Sequence, residues 1–289
     1  MYSSDPRYAF SFRDYGGSIS IADEFDQASD VPERDKILLQ TFGLGYDAER
    51  RRVVVAYLRY LGRLSPDHQA IWNSRLISRN CKMAFAYYQN TIAGDWVEEG
   101  SIFEAWIEEQ CVINDMCRLM GRSPIFRKTF REAERPNEFT LFLRPTRKNF
   151  YDFVQLLDKM LSENLDPSFF ANEVAVEEEV ELPGGRVEVK RRGTLSMLEE
   201  WLKGKVRLKD TSAFDDVLSP LREVRNLRQT PAHKIFEDEY YEGYFDQQIA
   251  LMKRTYQALN TLRLMLALHP STRGYRIPDW LKEGRIALY

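Results

Sequence analysis

The stretch that most restricts what this chain can fold into runs from about residue 212 to Lys234. Counted at 100° per residue from Leu221, the side chains of Phe214, Val217, Leu218, Val224, Arg225 and Arg228 all fall within about 60° of one line. The spacing predicts an amphipathic helix over about 212–229 whose apolar stripe is continued by two guanidinium groups. Arginines on an inward face need a reason, because a buried charge without a partner is very costly. Pro231 has no amide hydrogen to donate and pushes Thr230 out of helical conformation. The helix is therefore expected to stop there, and the turn to bring His233 back toward the end that carries Arg228.

The rest of the chain reads as further helices, and the expected fold class is all-α: a helical bundle with a small β-hairpin insertion and an N-terminal helical region. Residues 1–140 are expected to form an N-terminal helical domain opened by an irregular arm, since Pro6, Gly16, Gly17 and Pro32 interrupt any clear period. Asp47 is placed as the cap of a helix carrying Val53, Val54, Tyr57, Leu58 and Leu61. Ser65-Pro66 is placed as the start of a long helix reaching Tyr87, and Ile102–Met120 as a third helix ending near Gly121. Gly43-Leu44-Gly45 reads as a turn. Residues 138–145 are a short strand or an extended linker, which sets the domain boundary near 140.

In the second domain, 141–289, Phe150, Phe153, Val154, Leu157, Met160, Leu161 and Leu165 predict an amphipathic helix. Val174–Leu182, then Pro183-Gly184-Gly185, then Val187–Val189 predict a hairpin within about 173–190. Thr194 is expected to cap a helix ending near Gly204. After the helix at 212–229, Tyr244 to Leu266 predict a long helix that Pro270 ends. Four helices are thus available for a C-terminal bundle.

The 289 residues contain 44% apolar and 13% aromatic side chains, enough for an ample core. The net charge of −3 argues against wholesale electrostatic attraction to nucleic acid, so such binding requires a local patch. Residues 186–234 supply one, with twelve Lys and Arg against seven Asp and Glu, while 163–181 carry only acids. The plain reading of such blocks is solvated surface. Cys81, Cys111 and Cys117 form no Cys-x-x-Cys pair and are expected to be reduced, with Cys111 and Cys117 on a helix, buried rather than reactive. No run approaches the roughly 18 apolar residues of a membrane span. No signal-like stretch opens the chain, so a cytoplasmic protein without membrane contact is expected.

Arg228-Gln229-Thr230-Pro231-Ala232-His233 reads Arg-x4-His. With the amphipathic helix before it and a long helix after it, the region of about 141–289 resembles the HEPN domains, all-helical modules whose ribonuclease members carry Arg-x4-6-His. The family often has Asn, Asp or His directly after the arginine. Here that position holds Gln229, whereas Arg225 is followed by Asn226 but lies eight positions before His233. The resemblance implies a metal-independent endoribonuclease that leaves 2′,3′-cyclic phosphate ends. Arg228, His233 and Arg225 are then the catalytic residues, Asn226, Lys234 and Arg222 contact the substrate, and no metal or other cofactor takes part. It further implies RNA as partner, a homodimer with paired motifs, a possible regulatory or antitoxin protein, and a role in phage defence or toxin-like growth arrest.

An imidazole of ordinary pKa, about 6.5, exchanges protons near neutrality, and neighbouring guanidiniums favour its neutral, basic form. The structural alternative ties Arg225 and Arg228 to carboxylates such as Asp215 or Glu237, with His233 a turn residue. The chain is then a non-catalytic helical interaction or nucleic-acid-binding module. His68, in the first turn of a helix, and His269, at a helix end, read as structural. Signatures of nucleotide cradles, zinc hydrolases and serine hydrolases do not occur, no helix shows a plain recognition-helix pattern for DNA, and Glu237, Asp238, Glu239 and Glu242 read as a charged helix start rather than a Mg²⁺ site.

Overall fold

The computed structural model describes residues 5–27, 31–49, 51–94, 100–131, 134–183, 186–229 and 237–287. The chain is mixed α/β, with 48% helix and 18% strand, and the all-α expectation is corrected on that ground. It divides into two compact units, residues 1–98 and 99–288, so the division expected near 140 lies inside the second unit.

The first unit is built on strands β1 (Tyr8–Arg13), β2 (Gly16–Ile21), β3 (Leu39–Asp47), β4 (Arg52–Ala56) and β5 (Cys81–Met83), with short helices α1 (Glu33–Lys36), α2 (Leu58–Leu61), α3 (Pro66–Asn73) and α4 (Phe85–Tyr88). The strands form one antiparallel sheet in the order β1-β2-β3-β4, and β5 pairs with the far end of β3. Where an irregular arm was expected, Tyr8, Phe10 and Phe12 alternate with Ala9, Ser11 and Arg13, the period of a strand with one covered face. Those rings pack on a core of Ile19, Leu38, Leu39, Phe42 and Leu64. The helix expected after Asp47 is instead strand β4, because Val53-Val54-Val55 is a β-branched run whose stiff side chains suit a pleated surface. The helix at Pro66 starts as expected but stops at Asn73, where Asn and Ser are poor helix formers. Gly43 lies within β3 rather than in a turn. A Cβ there would lie 2.3 Å from the Tyr87 ring, so only glycine lets that buried aromatic close on the sheet.

The second unit contains β6 (Gly100–Ser101), α5 (Ile102–Leu119), α6 (Arg147–Met160), α7 (Pro167–Phe170), β7 (Glu177–Leu182), β8 (Arg186–Arg191), α8 (Thr194–Lys205), α9 (Ser212–Gln229), α10 (Gly243–Leu266), α11 (Asp279–Lys282) and β9 (Ile286–Ala287). Helix α5 opens on a capping box, in which the Ser101 hydroxyl accepts from the Glu104 amide and the Glu104 carboxylate from the Ser101 amide. It packs against α10, α10 against α9, α9 against α6, and α8 lies on α9. Phe139 shows why residue 140 is no boundary. It is fully buried, with its ring centroid 5.0 Å from that of Trp106, 5.2 Å from Phe103 and 6.4 Å from Phe153, and it joins α5 to α6. β7 and β8 form the expected hairpin, pairing Glu177 with Arg191 and Glu178 with Lys190. Among the described residues no helix is long and apolar enough to cross a membrane.

Candidate functional site

Helix α9 buries Phe214, Val217, Leu218, Leu221 and Val224. Arg225 and Arg228 continue that stripe at its C-terminal end, and α6 presents an acid to them there. Asp158 sits on the inward stripe of α6 with Phe150, Val154 and Leu157 and is wholly buried. Its Oδ2 accepts from Nη1 of Arg225 at 3.1 Å and from Nη1 of Arg228 at 2.6 Å, and its Oδ1 accepts from the Ser162 hydroxyl. Helix α6 ends at Met160 because Leu161 leaves helical conformation, with φ −106° and ψ −97°. The turn that follows folds back, with the Glu163 amide donating to the Asp158 carbonyl at 3.1 Å. Glu163 thereby joins the cluster. Its carboxylate accepts from Arg228 Nη1 and lies 3.9 Å from Arg225 Nη1. From α8, the Thr194 hydroxyl donates to the Ser162 carbonyl at 2.7 Å and ties the turn to a third helix.

The cluster is only partly closed. The side chains of Arg225, Arg228 and Glu163 are 39%, 30% and 36% exposed, against 0% for Asp158. Among the described residues each guanidinium makes its hydrogen bonds through Nη1 alone, so that Nε and Nη2 of both part-exposed side chains make none there. Hydrogen bonds to Asp158, then to Glu163, raise the Arg228 pKa above its already high ordinary value, so it is always a cation. Two arginines against two carboxylates make the cluster electrically neutral as it stands. The arginines thus do not stand in an open basic cleft.

The carboxylates that meet the arginines are Asp158 and Glu163 rather than Asp215 or Glu237. Neither stands out in the sequence, where Glu163 opens the acidic block of 163–181. The signal was there: Asp158 is an acid on the apolar stripe of α6, as Arg225 and Arg228 are bases on that of α9. Arg222 and Asn226 do not join the cluster, being about 60° or more further round α9 than Arg225. With Ser219, Glu223 and Leu227 they line an outer groove of about 400 Å³. There Arg222 bonds Glu199 of α8, and Glu223 takes Arg254 of α10 through bonds of 2.7 and 2.9 Å. His233 and Lys234 lie outside the described residues.

The basic strip of 186–229 is largely offset by acids. Lys190 pairs with Glu188 at 3.2 Å, Arg192 with Glu200 at 2.6 Å, Lys203 with Glu199 at 2.7 Å and Lys205 with Glu173 at 3.1 Å. Glu173 is the hub of another cluster. Arg122, lying over Phe169 and Trp201, bonds it first, with Trp201 and Lys205 adding further bonds, and together they hold its carboxyl at about 2. Burial pushes the Cys117 thiol up to about 11, which leaves it unreactive at neutral pH. His269 Nδ1 accepts from the Ser271 amide, and His68 Nε2 lies 3.8 Å from the buried Asp35, so both have structural partners. Among the described residues no three His, Cys, Asp or Glu side chains are placed to hold a metal ion.

Comparison of the chain with protein-family models, with curated proteins and with solved structures gives no match.

Proposed function

We propose that the second unit is a metal-independent endoribonuclease of HEPN type acting on RNA. The observation that carries the reading is the convergence of Arg225 and Arg228 at the end of α9, each part-exposed and anchored through Nη1, on the helix that precedes His233 in the sequence. Donors held in place before substrate arrives need no reorganisation when charge builds on a phosphate. In this scheme the RNA 2′-hydroxyl attacks the adjacent phosphorus, His233 exchanges the proton, and Arg228 with Arg225 holds the non-bridging oxygens. The 5′-oxygen leaves and a 2′,3′-cyclic phosphate remains. The resemblance adds a cytoplasmic homodimer with facing motifs, controlled by a regulatory or antitoxin protein and serving phage defence or growth arrest.

A second reading is favoured by the charge balance. Two carboxylates already neutralise the two arginines, which is what a non-catalytic interaction or nucleic-acid-binding module would use to lock α6 to α9. The test is cleavage of mixed cellular RNA in EDTA by wild type, Arg228→Ala and His233→Ala, each confirmed folded by circular dichroism. Cyclic-phosphate ends made by the wild type and lost in both variants support the ribonuclease. No cleavage by folded, dimeric wild type, or equal cleavage by all three, moves the assignment to the binding module.

A further inference from the structure

We propose that Glu163 is the resident occupant of a phosphodiester subsite formed by Arg225 and Arg228, and that RNA binds by displacing it while Asp158 stays in place; this rests on the ribonuclease reading above. The two carboxylates are not equivalent. Asp158 lies in the last turn of α6, fully buried, and accepts from both arginines and from Ser162. Withdrawing it breaks all three of those bonds within a buried interface. Glu163 lies beyond the helix end, is 36% exposed, and is within hydrogen-bond reach of Arg228 only. Rotation about its own side-chain bonds carries it into water with the backbone unchanged, and a partly exposed ion pair is weak enough to exchange.

The charges support the same division. With Glu163 turned out, two guanidiniums and one Asp158 carboxylate leave one net positive charge, which matches the single negative charge of a phosphodiester. Arginine is suited to that ligand, because its planar fork offers parallel N–H donors to two oxygens of one phosphate. Nε and Nη2 of the part-exposed Arg225 and Arg228, which make no hydrogen bond among the described residues, are the donors for it. Glu163 is then an internal competitor that lowers RNA affinity, and Asp158 is a positioning residue that aims the arginines.

The probe is a fluorescein-labelled ten-nucleotide RNA methylated at every 2′-oxygen, which removes the attacking hydroxyl, with binding read by fluorescence anisotropy at one fixed salt concentration. Glu163→Gln is expected to bind about tenfold more tightly than wild type, since one competing charge is gone. Glu283→Gln, the same charge change at the Arg285 pair, is expected to stay within about twofold. The gain is expected to vanish when Glu163→Gln is combined with Arg228→Ala. Thermal melting checks folding, and Glu163→Ser serves as a second variant in which no amide can replace the carboxylate. Binding by Glu163→Gln and Glu163→Ser no tighter than by wild type or by Glu283→Gln, or a gain that survives Arg228→Ala, overturns the proposal. Cleavage of the unmethylated RNA in EDTA separates it from the reading on which it rests. Tightened binding without cleavage by any form removes the ribonuclease and leaves the subsite, whereas Arg228-dependent cleavage with unchanged binding removes the displacement alone.

Discussion

Two clusters in the second unit set arginine against a buried carboxylate between packed helices, and they are built differently. Between α5 and α10, Glu109 accepts from Arg263 Nε at 2.6 Å and from Asn260 Nδ2 at 3.0 Å. Both partners are sealed, with side chains 0% and 7% exposed. Between α6 and α9, Asp158 is as deeply buried as Glu109, but its arginines are 39% and 30% exposed and hold donors in reserve. A sealed pair can only join helices. An open one joins helices and still has hydrogen-bonding capacity to offer a ligand, so exposure of the cation separates a structural ion pair from a candidate binding site. The Glu173 cluster falls between them, with Arg122 and Glu173 20% and 23% exposed.

The largest effect is expected at the sealed pair. Glu109→Ala leaves Arg263 buried without its counter-charge and should destabilise the protein by about 3–5 kcal/mol in urea unfolding, while any RNA cleavage of the kind proposed above stays near wild type per folded molecule. A loss below about 1 kcal/mol would show that water reaches this pair and would erase the contrast.

At the open cluster the balance should reverse. On the ribonuclease reading proposed above, Arg228→Ala is expected to lower cleavage by about 10²- to 10³-fold, the scale of losing one preorganised donor. Its stability cost should be only about 1 kcal/mol, because Arg225 still bonds Asp158. Rate measurements and melting curves on the same preparation decide it, and an effect on stability alone would place the two clusters in one class.

The smallest effect concerns pH. Glu173 titrates at about 2 in the folded chain, below its ordinary 4.5, chiefly through the hydrogen bond from Arg122. Its contribution to stability is therefore fully present above about pH 4.5 and is lost as pH falls toward 2. Glu173→Gln should melt lower than wild type at pH 7 and by a shrinking margin at pH 4 and pH 3. A margin independent of pH would assign this residue's role to packing rather than to charge.

Legibility differed between the two units for a physical reason. Helices α6, α8, α9 and α10 each bury one stripe, so spacings such as Phe150-Phe153-Val154-Leu157 show them within a single window of sequence. In the first unit β3 pairs with β2, β4 and β5, and its Leu39–Asp47 run combines bulky residues with Gly43 and Gly45, which imitate a turn. What demands glycine at 43 is the Tyr87 ring, and at 45 the Val55 side chain and the Lys82 carbonyl, and no local pattern announces these distant neighbours. Val53 and Val54 fit a helical stripe as well as a strand, and only their pairing with Gly45 and Leu44 of β3 decides between the two. At the site, the inward arginines were legible and their partners were not, because Asp158 and Glu163 lie 70 and 65 residues from Arg228.

The sequence by itself determined where helix α9 runs, that Arg225 and Arg228 continue its apolar stripe, and that a hairpin lies earlier in the unit and a long helix after it, since each follows from backbone periodicity and from proline and glycine at the breaks. Only the tertiary structure decided that the first unit is a sheet, that Phe139 ties α5 into the second unit, and that a buried Asp158 and a partly exposed Glu163 share the two arginines. Those outcomes depend on which distant side chains fill the space beside a helix or strand, and close packing, unlike periodicity, is settled only when the whole chain is in place.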